Sequence, residues 1–206
     1  SAPFYMDVDL RRTNNDERIS DSVYIEMTHE FLVKLRDVTG ESGEWQVVIT
    51  RRVSAYWKEK LNCFCDGFHI LIPNLQVTPD VMSRFRTLLL KETYWTTLYE
   101  NYNVTNSLEK IIDESITTRR NGLILVGLNK PLLEGSFHSP HFIMYFDVWR
   151  TAWSGKMEPL KYGWQFENKE KNNEHFELLE MLYSWTLSHN YSETTPQILN
   201  IPSKAV

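Results

Sequence analysis

A chain of 206 residues, 42% of them apolar, with seven Trp, ten Tyr and ten Phe, is long enough to close one full hydrophobic core. Its formal net charge of −5 argues against a protein that coats nucleic acid through bulk electrostatics, so any phosphate-binding surface has to be local. No run has the length of a membrane span, the N-terminus lacks the basic-then-apolar order of a secretion signal, and Cys63 and Cys65, one residue apart, fit a reducing compartment better than a disulfide framework.

The chain opens on Phe4-Tyr5-Met6-Asp7-Val8-Asp9-Leu10, whose alternation is that of a half-buried strand. Residues 11–22 are polar, and residues 23–36 have helical spacing with Phe31, Leu32 and Leu35 on the apolar side, ended by the turn around Gly40 and Gly43. Residues 45–51 return to strand character, and residues 56–65 lead into Gly67-Phe68-His69-Ile70-Leu71-Ile72-Pro73, a strand expected to stop at the proline. Thr78-Pro79-Asp80 is an N-cap followed by proline at the first helical position, predicting one long helix to about Tyr102. Residues 106–112 form a short approach, residues 122–127 and 142–149 read as strands, and residues 173–188 as an amphipathic helix. The order implies one α+β domain over residues 1–206 with mainly antiparallel pairing. A chain that starts three residues before its first strand also has the look of a fragment of a longer protein.

Asp7 and Asp9 are the first candidate site. Alternation puts both carboxylates on one face of a strand, ~7 Å apart between Cα atoms, where they can share hard divalent cations for two-metal phosphoryl or nucleotidyl transfer. His69 stands in an apolar run; such a histidine is more often a hydrogen-bonded core residue, but the nearby Gly67, lacking a Cβ, would let a ligand approach the backbone. A third carboxylate is needed, and Asp113 competes with Asp147; the cations downstream of Asp113 favour it. Arg11-Arg12, Arg51-Arg52, Arg84/Arg86 and Arg119-Arg120 could line a basic groove inside an acidic envelope. A zinc site built from Cys63, Cys65 and His69 is rejected, because zinc spaces its cysteines more widely and needs a fourth ligand. Tyr94, Trp95, Tyr99 and Tyr102 could stack on bases, although their helical spacing suits a core better.

Taken together, a hydrophobic strand ending in Asp7-Val8-Asp9, Gly67-Phe68-His69 on a later strand, and Ile111-Ile112-Asp113 resemble the three motifs of the archaeo-eukaryotic primase superfamily. Asp66-Gly67-Phe68-His69-Ile70-Leu71-Ile72-Pro73, Asp113-Glu114-Ser115-Ile116, Arg119-Arg120, Gly122-Leu123 and Lys130-Pro131 are similar to the primase domain of the primase-helicases of large nucleo-cytoplasmic DNA viruses, most of all the asfarvirus type. The resemblance covers about residues 4–131 and implies an RRM-like core, a mixed or antiparallel sheet flanked by helices. It implies that Asp7, Asp9 and Asp113 hold Mg²⁺ or Mn²⁺ and are catalytic, and that His69, Gly67, Arg119, Arg120 and Lys130 bind the nucleotide. Template contact is expected from Arg51, Arg52, Arg84 and Arg86. It further implies primer synthesis on single-stranded DNA from nucleoside triphosphates, a C-terminal helicase through which the full protein oligomerises, and replication in the host cytoplasm away from any membrane. Family members often carry serine where this chain has Gly67, and a zinc knuckle found in many of them has no counterpart here. The rival classes are a two-metal nuclease, separable by strand cleavage in place of incorporation, and a non-catalytic nucleic-acid-binding module of a replication complex.

Overall fold

The computed structural model describes residues 2–41, 43–52, 54–114, 117, 141–151, 157–159 and 164–165. The chain separates into two compact units, residues 1–172 and 173–206, and everything described lies in the first.

Strand β1 (Ala2–Arg12) is followed by helix α1 (Asp21–Thr39), β2 (Glu44–Arg52), β3 (Tyr56–Lys58), a 3₁₀ turn (Glu59–Leu61) and β4 (Cys63–Val77). Helices α2 (Pro79–Leu89), α3 (Tyr94–Tyr102) and α4 (Leu108–Ile111) come next, then β5 (His141–Thr151), β6 (Met157–Pro159) and β7 (Trp164–Gln165). One sheet takes all seven strands, in the order β1-β4-β2-β5-β6 with β3 beside β4 and β7 beside β5. Every pairing among the described strands is antiparallel, as the irregular spacing of the strands suggested.

The core lies on one face. Phe4, Met6, Val8 and Leu10 of β1, Phe68, Ile70 and Ile72 of β4 and Val47 and Ile49 of β2 are buried there under the apolar sides of the helices. Tyr24 of α1 stacks on Phe68 with ring centroids 4.4 Å apart, and Phe85 of α2 meets Phe4 edge-on at 5.6 Å. Helix α1 buries Phe31, Leu32 and Leu35 as its spacing predicts, and ends where Gly40, in the left-handed conformation, donates its N–H to the Arg36 carbonyl at 2.8 Å. Trp95 is fully buried and Tyr94, Tyr99 and Tyr102 pack against the core, so this aromatic stripe serves packing.

Two local expectations change. Strand β4 does not stop at Pro73 but runs on to Val77, because β1 jumps register there: Phe4 pairs with Ile72 and Pro3 with Gln76. The proline thus sits in a bulge, where no ladder donor is asked of it. On the opposite edge Asn74 replaces the ladder with its side chain, accepting from Gln46 N at 2.9 Å and donating to Glu44 O at 2.8 Å. The long helix after Thr78 is two helices. Thr78 caps the first, accepting from Val81 N at 3.3 Å, but after Leu89 the backbone closes in tight turns and the Trp95 indole N–H takes the Leu89 carbonyl at 2.7 Å. That carbonyl is satisfied from the side, so the helix need not continue. The strand expected at residues 122–127 and the helix at 173–188 lie outside the described residues.

Candidate active site

The face of the sheet opposite the helical layer carries the site. In β1 the alternation that buries Met6, Val8 and Leu10 turns Tyr5, Asp7 and Asp9 to the other side, and the β1-β4 register sets Asp7 opposite His69 and Asp9 opposite Gly67. On the far side of β4, Thr50 of β2 pairs with His69. A single pleat thus gathers Asp7, Asp9, His69 and Arg52 from three adjacent strands.

Each carboxylate has a cationic or imidazole neighbour. His69 Nε2 lies 3.2 Å from Asp7 Oδ1, and Arg52 Nη2 donates to Asp9 Oδ1 at 3.2 Å. Asp7 and Asp9 keep 36% and 48% of their side-chain surface exposed, while His69 and Arg52 keep 5% and 8%. Each carboxylate side chain therefore keeps a solvent-facing part, although Asp7 Oδ1 is itself buried beside His69. The Tyr5 ring packs edge-on against the His69 imidazole at 5.2 Å, and the Arg52 guanidinium lies 5.3 Å from the centroid of the Tyr56 ring. Burial, and then the charge of Asp7, pushes the Asp9 carboxyl up from its ordinary value, against the opposing pull of Arg52 and His69. Burial alone would lower the Arg52 guanidinium, yet Asp9, Tyr56 and Asp7 together raise it.

Gly67 does not act as the sequence suggested. Its backbone has φ +153°, and a Cβ there would stand 2.2 Å from the Val8 carbonyl oxygen. The close approach that its missing side chain permits is made by β1, which draws the Asp9 strand tight against β4. The Asp66 carboxylate accepts the Gly67 N–H at 2.8 Å, stabilising this distorted turn of the strand.

Sequence reasoning missed Asn106, which holds the outer edge of β1 beside the site. Its side chain accepts from Arg11 N and donates to Asp9 O, both at 2.9 Å, while Thr105 N donates to Arg11 O at 2.8 Å. This clamp fixes the backbone on which Asp9 stands. An asparagine in a polar loop carries no pattern that would single it out.

The expected template arginines occupy unlike places. Arg51 is buried, its guanidinium taken up by Asp21, by the Ile19 carbonyl at 3.0 Å and by Asp66 at 3.8 Å. Arg86 donates to the Ile112 and Glu109 carbonyls at 2.8 and 3.3 Å and so pins α4. Arg84 is exposed and paired with Asp80 at 2.8 Å. Arg52 belongs to the Asp9 site. Arg12, by contrast, is buried, with its Nε donating to the Tyr102 carbonyl at 2.8 Å.

Asp113 is exposed just after the buried pair Ile111-Ile112 at the end of α4. Asp147 lies on β5, its backbone paired with Val47, a core residue. Arg119, Arg120 and Lys130 lie outside the described residues. Cys63 and Cys65 are free thiols with sulfurs 4.0 Å apart, and burial, then Cys63, pushes the Cys65 thiol up to about 11, away from the thiolate that zinc requires.

The donor chemistry of the Asp7-Asp9 pair fits Mg²⁺ or Mn²⁺: both groups are hard oxygen donors, on one face and partly exposed. Among the described residues no group of three or more His, Cys, Asp or Glu side chains is arranged to hold a metal ion. Two carboxylates are only part of the ligand set such an ion takes.

An antiparallel sheet with helices on one face and an Asp-x-Asp strand paired to an x-His strand on the other is the α+β architecture of the archaeo-eukaryotic primase catalytic core. Residues 1–137 match the family described as the C962R protein N-terminal AEP domain, and the chain belongs to that family. AEP stands for archaeo-eukaryotic primase, a superfamily whose domains are typically primase-type nucleotidyltransferases. A search of curated proteins finds no match. The matched span takes in Asp7, Asp9, Gly67, His69, Asp113, Arg119, Arg120 and Lys130, and ends before Asp147.

Proposed function

We propose that this chain is the catalytic core of a DNA-templated primase, joining nucleoside triphosphates into short primers on single-stranded DNA. The observation that carries the proposal is the register of β1 on β4, which sets Asp7 against His69 within the family match. Asp7 and Asp9, with Asp113 as third carboxylate, would hold Mg²⁺ or Mn²⁺, which when bound activates the primer 3′-hydroxyl and neutralises charge on the pyrophosphate leaving group.

The chain's own residues position the substrates. Asp7 and Asp9 work as carboxylates, and their mutual repulsion is offset by His69 and Arg52 beneath them. His69 is held by Tyr5 on the site face and by its strand partners on both sides, so its imidazole meets the triphosphate in a fixed orientation. Arg119, Arg120 and Lys130 complete the grip on the phosphates, and Arg84, on an exposed helix face, tracks the template backbone. No protein nucleophile is required. In the full protein this core would precede a helicase that assembles it into an oligomer, as in primase-helicases of large nucleo-cytoplasmic DNA viruses of the asfarvirus type, acting in the host cytoplasm.

The test is incubation with single-stranded DNA, labelled ribo- or deoxyribonucleotides and Mn²⁺ or Mg²⁺, with products sized on a gel. Wild type yields short primers, and Asp7→Asn, Asp9→Asn and Asp113→Asn abolish them while Asp147→Asn does not. His69→Ala and Lys130→Ala weaken nucleotide binding about ten- to a hundredfold, the loss of one charge-assisted contact, and leave template binding intact. Cleavage of the strand without incorporation would make the protein a two-metal nuclease.

A further inference from the structure

We propose that Arg52 is a positioning residue that holds Asp9 in place of a divalent cation and, once a cation is bound there, turns its guanidinium to the triphosphate of the incoming nucleotide. The inference rests on the reading that Asp7 and Asp9 hold Mg²⁺ or Mn²⁺.

Two neighbouring arginines on β2 show the difference between a fixed and a releasable guanidinium. Arg51 points to the helical side, where Asp21, the Ile19 carbonyl, Asp66 and the Tyr24 ring surround it. Three of those four partners are polar, so Arg51 cannot move without stranding a buried charge. Arg52 points to the site side. Its guanidinium donates to Asp9 at 3.2 Å and lies 5.3 Å from the centroid of the Tyr56 ring, and its Nε, like that of Arg51, has no hydrogen-bond partner among the described residues. An aromatic face attracts a guanidinium without fixing its direction. The oxygen it holds belongs to a side chain that is 48% exposed and is a ligand in the proposed cradle. A divalent cation on Asp9 and a guanidinium on the same carboxylate repel each other, so each weakens the other's hold. Tyr56 then keeps the freed guanidinium beside the two carboxylates, where its planar fork suits a phosphate.

This arrangement predicts opposite signs for two affinities. Mn²⁺ binding to the full chain, followed by the paramagnetic resonance of free Mn²⁺, should be about five- to tenfold tighter in Arg52→Gln than in wild type, because one competing contact is gone. Binding of labelled nucleoside triphosphate at saturating Mn²⁺ should be roughly tenfold weaker in the same variant, and Arg52→Lys should recover much of it. A merely structural arginine would weaken both affinities together, and that result overturns the proposal. Wild-type protein labelled with ¹⁵N-arginine gives an answer even if Arg52→Gln fails to fold: adding Mg²⁺ should shift the Arg52 guanidinium resonances and leave those of Arg51 in place, and an unmoved Arg52 refutes the release. Asp9→Asn belongs in the same Mn²⁺ titration. If it binds as wild type does, both the metal reading and this inference fall; if it loses Mn²⁺ while Arg52→Gln gains nothing, the inference alone falls.

Discussion

Replacing Gly67 by alanine probes the tightest contact in the site. The added Cβ would meet the Val8 carbonyl oxygen at 2.2 Å and the Val8 carbonyl carbon at 3.3 Å, both backbone atoms of the paired strand. No side chain can swing aside. The β1 and β4 backbones must part by roughly 1 Å, in a core packed as densely as a crystal. The residue must also hold φ +153°, which costs an L-amino acid about 1–3 kcal/mol. With the weakened ladder around Asp9, the total comes to about 3–5 kcal/mol, or a fall in Tm of about 10 °C for a chain of this size. Gly40→Ala is the control: φ is +67° but nothing lies within 4 Å of its Cβ, so only the strain of a helix-ending residue remains, about 1 kcal/mol. Thermal melts of the two variants beside wild type, read by circular dichroism, give the comparison. Because Gly67 is the register partner of Asp9, the surviving folded fraction of Gly67→Ala should also bind Mn²⁺ more weakly. If Gly67→Ala melts within a degree or two of Gly40→Ala, β1 does not press on β4 there and the account of this glycine is wrong. Gly67→Ser should behave as the alanine variant does.

Asp9→Asn should raise Tm at pH 7. A carboxyl whose folded pKa lies above its unfolded value contributes stability that is fully present below the unfolded pKa and is lost as pH rises through the folded one, so at neutral pH ionised Asp9 is a cost. With the side chain half exposed the gain stays below about 1 kcal/mol, and it should vanish in melts below about pH 3, under the ordinary carboxyl value, where the folded and unfolded forms are both neutral. An unchanged Tm difference across that range would count against the raised pKa. Arg51→Met takes the ion-pair partner at 3.8 Å from the fully buried Asp66 and should cost about 3–5 kcal/mol in urea unfolding. Its folded fraction should keep the wild-type affinity for single-stranded DNA and the same salt dependence, and a loss of that affinity would return Arg51 to the template surface.

The sequence by itself determined the features that depend on near neighbours in the chain. Alternation in β1 set Asp7 and Asp9 on one face, Thr78 with Pro79 marked the start of α2, and Phe31, Leu32 and Leu35 marked the buried side of α1, because strand and helix periods act over a few residues. The order of the Asp-x-Asp and x-His motifs was legible for the same reason. Only the tertiary structure decided what those residues touch. Arg51 and Arg52 are adjacent in sequence and look alike, but the pleat sends one to the helical side and the other to Asp9, and their partners come from residues far along the chain. Pro73 reads locally as a stop, yet a register jump on the partner strand lets β4 pass through it. Trp95 ends α2 by reaching back to the Leu89 carbonyl, and Asn106 fixes Asp9 from 97 residues away. Gly67 looked like an opening for a ligand, but the atom that fills the space of a Cβ there belongs to another strand. Such contacts are fixed by the register between strands, and register follows from burying a whole face at once, which no short window of sequence encodes.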